Sequence, residues 1–256
     1  MDPTFRDHFS AAAPDYARFR PGYPAELFAW IASESPSREW AWDAATGSGQ
    51  AARGLGGHFA RVVATDASRA QLASAAAHPN VHYVRSQAEA SGLATSVAGA
   101  VVAAQAVHWF DRPAFFAEAA RVGRPGALVA VWTYGNPSVT PEVDGVLNPF
   151  YRDVIGPHWP PERRLIENMY RDIELPFEPV AAPDLQLESR MTLAELAGYV
   201  GTWSGVHRYR EATGADPLPA LIDALGNVWG DPASSKTTHW PMAIRAGRAG
   251  RAGRVA

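Results

Sequence analysis

Residues 43–49 of this 256-residue chain read Asp43-Ala44-Ala45-Thr46-Gly47-Ser48-Gly49. An apolar segment, 40–42, precedes this turn, and a helix is predicted to follow it over 50–59. Glycine has no Cβ and tolerates positive φ, so such a turn lets the backbone approach a ligand closely. A short apolar strand, 61–65, then ends at Asp66, 19 residues beyond Gly47. The turn therefore predicts a ligand at the carboxyl ends of parallel strands.

Strands and helices continue to alternate beyond this unit. Further apolar strands are predicted over 81–84, 100–104 and 127–132. Ser68 suits the N-cap of the helix that follows Asp66, and 112–121 is predicted to be helical. Short apolar strands separated by helices indicate parallel pairing with helices on both faces. We predict an α/β fold with a Rossmann-like, mostly parallel sheet of about seven strands.

The pattern changes after residue 136, where aromatic residues and prolines accompany helical stretches. A late strand is expected over 185–189, helices over 193–199 and 218–229, and a final strand over 237–245. We divide the chain into an N-terminal helical segment (1–36), a ligand-binding core (37–136), a helical cap inserted after strand five (137–184), C-terminal strands and helices that complete the sheet (185–246), and a basic, flexible, solvated tail (247–256).

Composition excludes several function classes. The net charge of −3 gives no general attraction to nucleic acid or to an anionic membrane. The absence of cysteine removes disulfides, thiolate zinc sites and cysteine nucleophiles, and the 8 histidines show no metal-ligand spacing. No leader and no apolar run long enough to span a bilayer is readable, so we expect a cytoplasmic protein. Lys236 is the only lysine, so no P-loop exists.

The turn at 43–49 is ambiguous when taken alone. Residues 47–52 match the G-x-G-x-x-G/A pattern of dinucleotide-binding proteins, and Asp66 lies at the expected distance for a ribose contact. An NAD(P)-dependent oxidoreductase is therefore one interpretation, although a Tyr-x-x-x-Lys pair is impossible here. An acidic residue directly before the turn, Asp43, favours a different nucleoside cofactor.

Residues from about 5 to 135 resemble a class I S-adenosylmethionine-dependent methyltransferase of the small-molecule type, with a closer likeness to the trans-aconitate methyltransferase-like group. The similar segments are 16–24 (Tyr16-Ala17-Arg18-Phe19-Arg20-Pro21-Gly22-Tyr23-Pro24), 43–49, Asp66, 87–89, 105–111 (Gln105-Ala106-Val107-His108-Trp109-Phe110-Asp111) and 121–127. The resemblance implies strand order 3-2-1-4-5-7-6, S-adenosyl-L-methionine as cofactor, and in-line methyl transfer to a small molecule such as a carboxylic acid. It implies neither a nucleic-acid nor a membrane partner, and no oligomeric state.

The resemblance also assigns site residues. Those expected to bind the cofactor, with the N-terminal segment closing over it, are Tyr16, Arg20, Asp43, Ala45, Thr46, Gly47, Gly49, Asp66, Ala67, Gln87, Ala88, Glu89, Gln105 and Ala106. Those expected in the substrate pocket are His108, Trp109, Tyr134, Trp159 and Trp203.

His108 is the candidate general base, because an ordinary imidazole pKa near 6.5 suits neutral pH. The alternative is that His108 only donates or accepts a hydrogen bond and shapes the pocket, since a carboxylate acceptor needs no base. Arg163 and Arg164 are candidates for recognising an acidic substrate, the alternative being an exposed, unspecific pair. The sequence leaves acids, alcohols, amines and carbon acceptors open.

Two positions depart from the family pattern. Ala45 replaces the first glycine of the loop, which we expect to be tolerable only if φ is negative there and the ligand does not contact the Cβ. Gly99-Ala100 stand where strand four usually begins with an acidic residue. These departures keep a third hypothesis open, a cofactor-binding protein that has lost catalysis.

Overall fold

The computed structural model describes residues 19–250, which form a mixed sheet flanked by helices. The strands are β1 (Trp40–Ala44), β2 (Arg61–Asp66), β3 (Val81–Arg85), β4 (Ala98–Ala104), β5 (Gly123–Tyr134), β6 (Glu178–Pro179), β7 (Gln186–Met191) and β8 (Lys236–Arg248). The helices are α1 (Ala25–Glu34), α2 (Gln50–Gly56), α3 (Arg69–Ala73), α4 (Arg112–Val122), α5 (Pro141–Pro149), α6 (Arg163–Glu167), α7 (Leu193–Gly201), α8 (Ser204–Thr213) and α9 (Leu218–Trp229). Shorter helical turns cover Val107–Trp109, Phe150–Val154 and Gly156–His158.

The strand order is β3-β2-β1-β4-β5-β8-β6, and β7 pairs with β8. The first five strands are parallel, and β8 is antiparallel to β5. The α/β Rossmann-like prediction is confirmed, with the last strand beside β5 as the expected order requires. The described residues form eight strands rather than seven, because the two-residue strand β6, which was not predicted, also pairs with the long strand β8. Its Lys236–Pro241 half pairs with β7, and its Met242–Arg248 half pairs with β5.

The tail begins later than the expected residue 247, so that boundary is wrong. Gly247 and Arg248 belong to β8 and pair with β5. Arg248 also donates to the carbonyl of Glu34 (2.8 Å) and forms an ion pair with its carboxylate. The Arg-Ala-Gly repeat suggested that Gly247 and Arg248 were solvated. The pairing with β5 and the contacts with Glu34 hold them in the fold instead. The last part of the predicted tail, 251–256, lies outside the described residues.

Both faces of the sheet are buried. Alternate residues of β5 enter different apolar clusters: Leu128 and Ala130 pack on the side of α1 and α2, whereas Val129 and Val131 pack on the side of α4. This two-residue period is what a parallel sheet covered by helices requires.

A third apolar cluster joins residues of β7 and β8 to the helices that follow β5, and it forms the core of the cap. It includes Leu147 of α5, Trp203, and Leu225 of α9. The cluster thus contains residues from both sides of the expected division at 184/185, and α5 packs with α9.

The register of the parallel strands brings their carboxyl ends to one edge. Ala44 lies opposite Thr65, and Asp43 lies opposite Val102. The turns after β1, β2 and β4 therefore meet at the same place, where the sequence predicted a ligand.

The missing acid at the start of strand four has a steric explanation. A Cβ on Gly99 would lie 2.0 Å from the backbone oxygen of Ser37. We predict that Gly99→Ala lowers the free energy of unfolding by about 1–3 kcal/mol, as overpacking does. Gly226→Ala is the control, because Gly226 lies on an exposed face of α9 with open space around it. We expect this change to raise the free energy of unfolding by up to about 1 kcal/mol. Urea unfolding measures both, and an unchanged midpoint for Gly99→Ala would contradict this packing.

Candidate functional site

The turn after β1 is built from left-handed backbone. Ala45, Gly47 and Gly49 have φ of 54°, 56° and 81°. The amide of Thr46 donates to the carbonyl of Thr65 (2.8 Å), which fixes the turn against the end of β2. A Cβ on Gly49 would lie 2.2 Å from the hydroxyl oxygen of Tyr83, so this position requires glycine for space as well as for conformation.

The condition that φ be negative at Ala45 is not met. The residue adopts the left-handed conformation that the family's glycine would adopt, with its methyl group retained. The side chain lines a cavity rather than colliding with the protein, so the chain tolerates the strain of roughly 1–2 kcal/mol.

Asp66 ties the turn to the end of β2. One carboxylate oxygen accepts from the amide of Gly47 (2.9 Å), and the other accepts from the amide of Ser68 (2.8 Å). The side chain is 9% exposed and lines the same cavity as Ala45. An ionised carboxylate accepts up to about four hydrogen bonds, so Asp66 is suited to a ligand with hydroxyl donors.

Asp43 lies behind the turn. It is completely buried, does not line the cavity, and accepts from the hydroxyl of Thr46 (2.5 Å). Burial raises the pKa of Asp43 to about 7, against the lowering effect of the Thr46 hydrogen bond. Its place in the structure is therefore support for the turn rather than contact with a ligand in the cavity.

A cavity of about 670 Å³ opens at the carboxyl ends of the strands. The predicted cofactor residues that line it are Ala45, Thr46, Gly47, Asp66, Ala67, Gln87, Ala88, Glu89, Gln105 and Ala106. Gly49 is not in its wall, and Tyr16 lies outside the described residues. Its lining includes four carboxylates, those of Asp66, Glu89, Asp111 and Glu162, and no Lys or Arg of the described chain. We call it the acidic cavity.

Several residues that line the acidic cavity were not predicted from the sequence. Asp111 could have been assigned, because it is the last residue of the 105–111 segment and caps α4 by accepting from the amide of Ala114. Glu162 carried no signal, because only the folding of the cap brings it to the cavity.

A smaller hollow of about 40 Å³ adjoins the acidic cavity, with Gln105 and Trp109 in both walls. Its other lining residues are Arg20, His108, Trp159, Pro160, Arg163, Ile166, Trp203 and Ser204. Two guanidinium groups and no carboxylate line it within the described chain. We call it the basic hollow. Four of the five predicted substrate residues line it, and Tyr134 does not.

The wall between the two spaces depends on Gln105. Its backbone is left-handed, with φ of 52°. Its carboxamide accepts from the Tyr134 amide (3.1 Å) and donates to the Tyr134 carbonyl (3.3 Å), as a neighbouring strand would. Its oxygen also accepts from the hydroxyl of Thr133 (2.5 Å). These bonds hold a strained residue in place at the end of β4.

His108 is 4% exposed, and its Nδ1 lies 2.7 Å from the hydroxyl oxygen of Tyr170. Burial, with the nearby positive charge of Arg163, lowers the pKa of His108 to about 3. The expectation that His108 titrates near neutral pH, on which its role as general base rested, is therefore wrong.

Arg163 and Arg20 reach the basic hollow from different elements. Arg163 donates to the hydroxyl of Tyr151 (2.8 Å) and to the side-chain oxygen of Asn136 (2.6 Å), and it stacks 4.4 Å from the ring of Trp159. Arg20, expected beside the cofactor, instead lines this hollow and donates to the hydroxyl of Tyr134 (2.9 Å). Arg164 is exposed and lines neither space.

The strand order and the cavity at the carboxyl ends of β1, β2 and β4 define a Rossmann-like methyltransferase fold. The profile of a family described as "Methyltransferase domain" matches residues 42–131. A Dictyostelium discoideum protein named as a methyltransferase is 33% identical over 225 residues, or 86% of each chain. A solved structure from Anaeromyxobacter dehalogenans, described as a type II methyltransferase, is 45% identical with a TM-score of 0.84, and the match covers 91% of this chain and 99% of that one. The chain belongs to the class I S-adenosylmethionine-dependent methyltransferases.

Membrane-spanning helices and metal clusters are both absent from the described residues, 19–250. No helix there is long and apolar enough to cross a membrane. No group of three or more His, Asp or Glu side chains in that range is arranged to hold a metal ion.

The conformation of Ala45 predicts that Ala45→Gly stabilises the protein. Removing the left-handed strain raises the free energy of unfolding by roughly 1–2 kcal/mol. The greater freedom of glycine in the unfolded chain lowers it by about 0.5–1 kcal/mol. We expect a net gain of about 1 kcal/mol in urea unfolding. Ala44→Gly, at a buried strand position, is the control and is expected to destabilise. A loss of stability in Ala45→Gly would contradict the left-handed turn.

The buried Asp43 predicts a pH dependence. Its folded pKa of about 7 lies above the ordinary value of 3.8, so the folded state binds the proton more tightly. Its contribution to stability is present below pH 4 and is lost as the pH rises through 7, with a slope of at most about 1.4 kcal/mol per pH unit.

We expect the free energy of unfolding of the wild type, relative to Asp43→Asn, to fall between pH 5 and 7 and to level off above pH 8. Taking the difference between the two proteins cancels the pH-dependent contribution of His108 to stability, which has the opposite sign and is the same in both. Urea unfolding at each pH measures it, and a difference independent of pH would show that Asp43 is ionised throughout.

Proposed function

We propose that this chain transfers a methyl group from S-adenosyl-L-methionine to a small carboxylic acid. The observation that carries the proposal is the charge of the two adjoining spaces. Four carboxylates line the acidic cavity, and two guanidinium groups line the basic hollow. Such an arrangement favours a cationic group on one side of Gln105 and Trp109 and an anionic group on the other.

The acidic cavity fits the cofactor in size and chemistry. A volume of about 670 Å³ lies within the range of small-molecule sites. We assign Asp66 to the ribose and Gln87, Ala88 and Glu89 to the neighbourhood of the adenine, where Ala67 leaves room for a flat ring. The bound cofactor supplies a methyl group already activated by a positively charged sulfur.

The residues of the basic hollow are suited to an ionised acceptor. Arg163 is held by neutral partners, Tyr151 and Asn136, and its charge reaches the hollow without a carboxylate bound to it in the described structure. A carboxylic acid with a pKa of about 4 is ionised at neutral pH and needs no general base. The flat rings of Trp159 and Trp203 supply apolar surface that excludes water around the acceptor.

The charge of the acidic cavity also argues against the oxidoreductase interpretation. A dinucleotide carries a pyrophosphate, and four carboxylates with no Lys or Arg in the described lining would repel it. The G-x-G-x-x-G/A match then reflects only the shared strand–turn–helix unit.

Calorimetric titration tests the cofactor assignment. We expect binding of S-adenosylhomocysteine and no binding of NAD⁺. Asp66→Asn is expected to weaken binding about 10- to 100-fold, through the loss of charge-assisted hydrogen bonds. Asp144→Asn is the matched control, because the Asp144 carboxylate also accepts from a backbone amide, that of Val139, but lies away from both spaces. Binding of NAD⁺ alone would end this proposal.

A panel of small carboxylic acids, each with its amide and alcohol counterpart, tests the acceptor class with labelled cofactor. We expect turnover of an acid, and a KM raised about 10- to 100-fold in Arg163→Gln, as expected when a charge-assisted contact is lost. Arg164→Gln, one residue away and exposed, should stay within twofold. Turnover of a neutral acceptor that is indifferent to Arg163 would refute the acid, and no turnover of any acceptor would favour a chain that has lost catalysis.

A further inference from the structure

The segment after α6 places a buried hydroxyl beside His108. Tyr170 is fully buried, and its hydroxyl oxygen lies 2.7 Å from Nδ1 of His108. Met169 and Tyr170 are consecutive left-handed residues, with φ of 50° and 55°, and neither is a glycine. Amide hydrogen bonds to Ile166 (2.8 Å) and Leu165 (2.9 Å) hold this turn. Two adjacent strained residues persist only where the surroundings fix them, and they cluster at functional sites.

The chemistry of the pair indicates where the protons lie. A phenol is a stronger hydrogen-bond donor than a neutral imidazole N–H, and the bare imidazole nitrogen is a better acceptor than a phenol oxygen. The hydroxyl of Tyr170 therefore donates to Nδ1 of His108. A neutral imidazole has one N–H, so the ring proton then lies on Nε2. His108 stays neutral because it is buried and because the charge of Arg163 opposes a second proton.

We propose that Tyr170 is a positioning residue that fixes the proton of His108 on Nε2, so that His108 acts in the basic hollow as a hydrogen-bond donor and not as a base. The acceptor part of this inference rests on the proposed function. There, Nε2–H of His108 and the guanidinium of Arg163 bind the same anionic acceptor, since both side chains line the hollow. Neither group removes a proton.

Nitrogen-detected imidazole spectra test the proton position in the free protein. In a ¹⁵N-histidine sample, the His108 signals are assigned by their loss in His108→Gln. We expect one neutral tautomer with the proton on Nε2, and no change in these shifts between pH 5.5 and 8.5. Among the described residues, the charged groups around His108 in the hollow are Arg163 and Arg20, and the polar groups include Gln105, Ser204 and the Tyr170 hydroxyl at Nδ1. A proton on Nδ1, or a ring that becomes charged in this range, would overturn the proposal.

Tyr170→Phe tests whether the hydroxyl sets the tautomer. We expect the His108 signals to shift toward a mixture of both tautomers. Tyr151→Phe is the matched control, because it removes another hydroxyl near Arg163 that does not bind His108, and it should leave the tautomer unchanged. A His108 that remains entirely on Nε2 in Tyr170→Phe would remove the positioning role. If Tyr170→Phe does not fold, the wild-type spectrum still decides the proton position.

Kinetics with an acid acceptor give the second measurement. Tyr170→Phe is expected to raise the KM for the acid several-fold with a smaller change in kcat. In that variant, the ring proton of His108 lies on Nε2 for only part of the time, so the hydrogen bond from Nε2–H to the acid is lost for the rest. A fall in kcat at unchanged KM would contradict a donor role. The spectra need neither cofactor nor acceptor, so their failure would leave the proposed methyl transfer standing, and a protein without turnover would leave the tautomer result standing.

Discussion

The carboxamide of Gln105 pairs with the peptide group of Tyr134 at the point where β4 ends, and the two ligand spaces depend on this contact. Hydrogen bonds of 3.1 and 3.3 Å hold the side chain as if it were one more residue of a strand beside β5. They keep the backbone of Gln105 left-handed, and Gln105 with Trp109 then forms the wall shared by the acidic cavity and the basic hollow. Without that wall the carboxylates and the guanidinium groups would face one continuous space.

Charge is separated across this wall by different parts of the fold. The strand ends and the turns after them contribute Asp66, Glu89 and Asp111, whereas Arg163 comes from the cap. The cap also supplies Glu162, the residue next to Arg163, to the opposite space. One short segment of the cap thus contributes a carboxylate to one space and a guanidinium to the other. This supports the proposal that the sheet binds the cofactor and the cap binds the acceptor.

Much of the fold and of the candidate site could be predicted from the sequence, because the strands are short apolar runs and the site lies in the turns that follow them. Ten of the predicted cofactor residues line the acidic cavity for that reason. Properties that depend on contacts between residues far apart in the sequence could not be predicted. The pKa of His108 depends on burial and on Arg163, and its proton on Tyr170, 62 residues away. Helix α8 was missed because Trp203 gives it no side-chain cap, and the left-handed φ at position 45 was missed because alanine rarely adopts the conformation that glycine favours.

A crystal structure of the chain with S-adenosylhomocysteine and a small carboxylate tests the separation of the two sites most directly. We expect the adenosine in the acidic cavity beside Asp66 and 87–89, the sulfur toward the wall of Gln105 and Trp109, and the carboxylate on Arg163. An adenosine bound elsewhere, or a carboxylate in the acidic cavity, would contradict it.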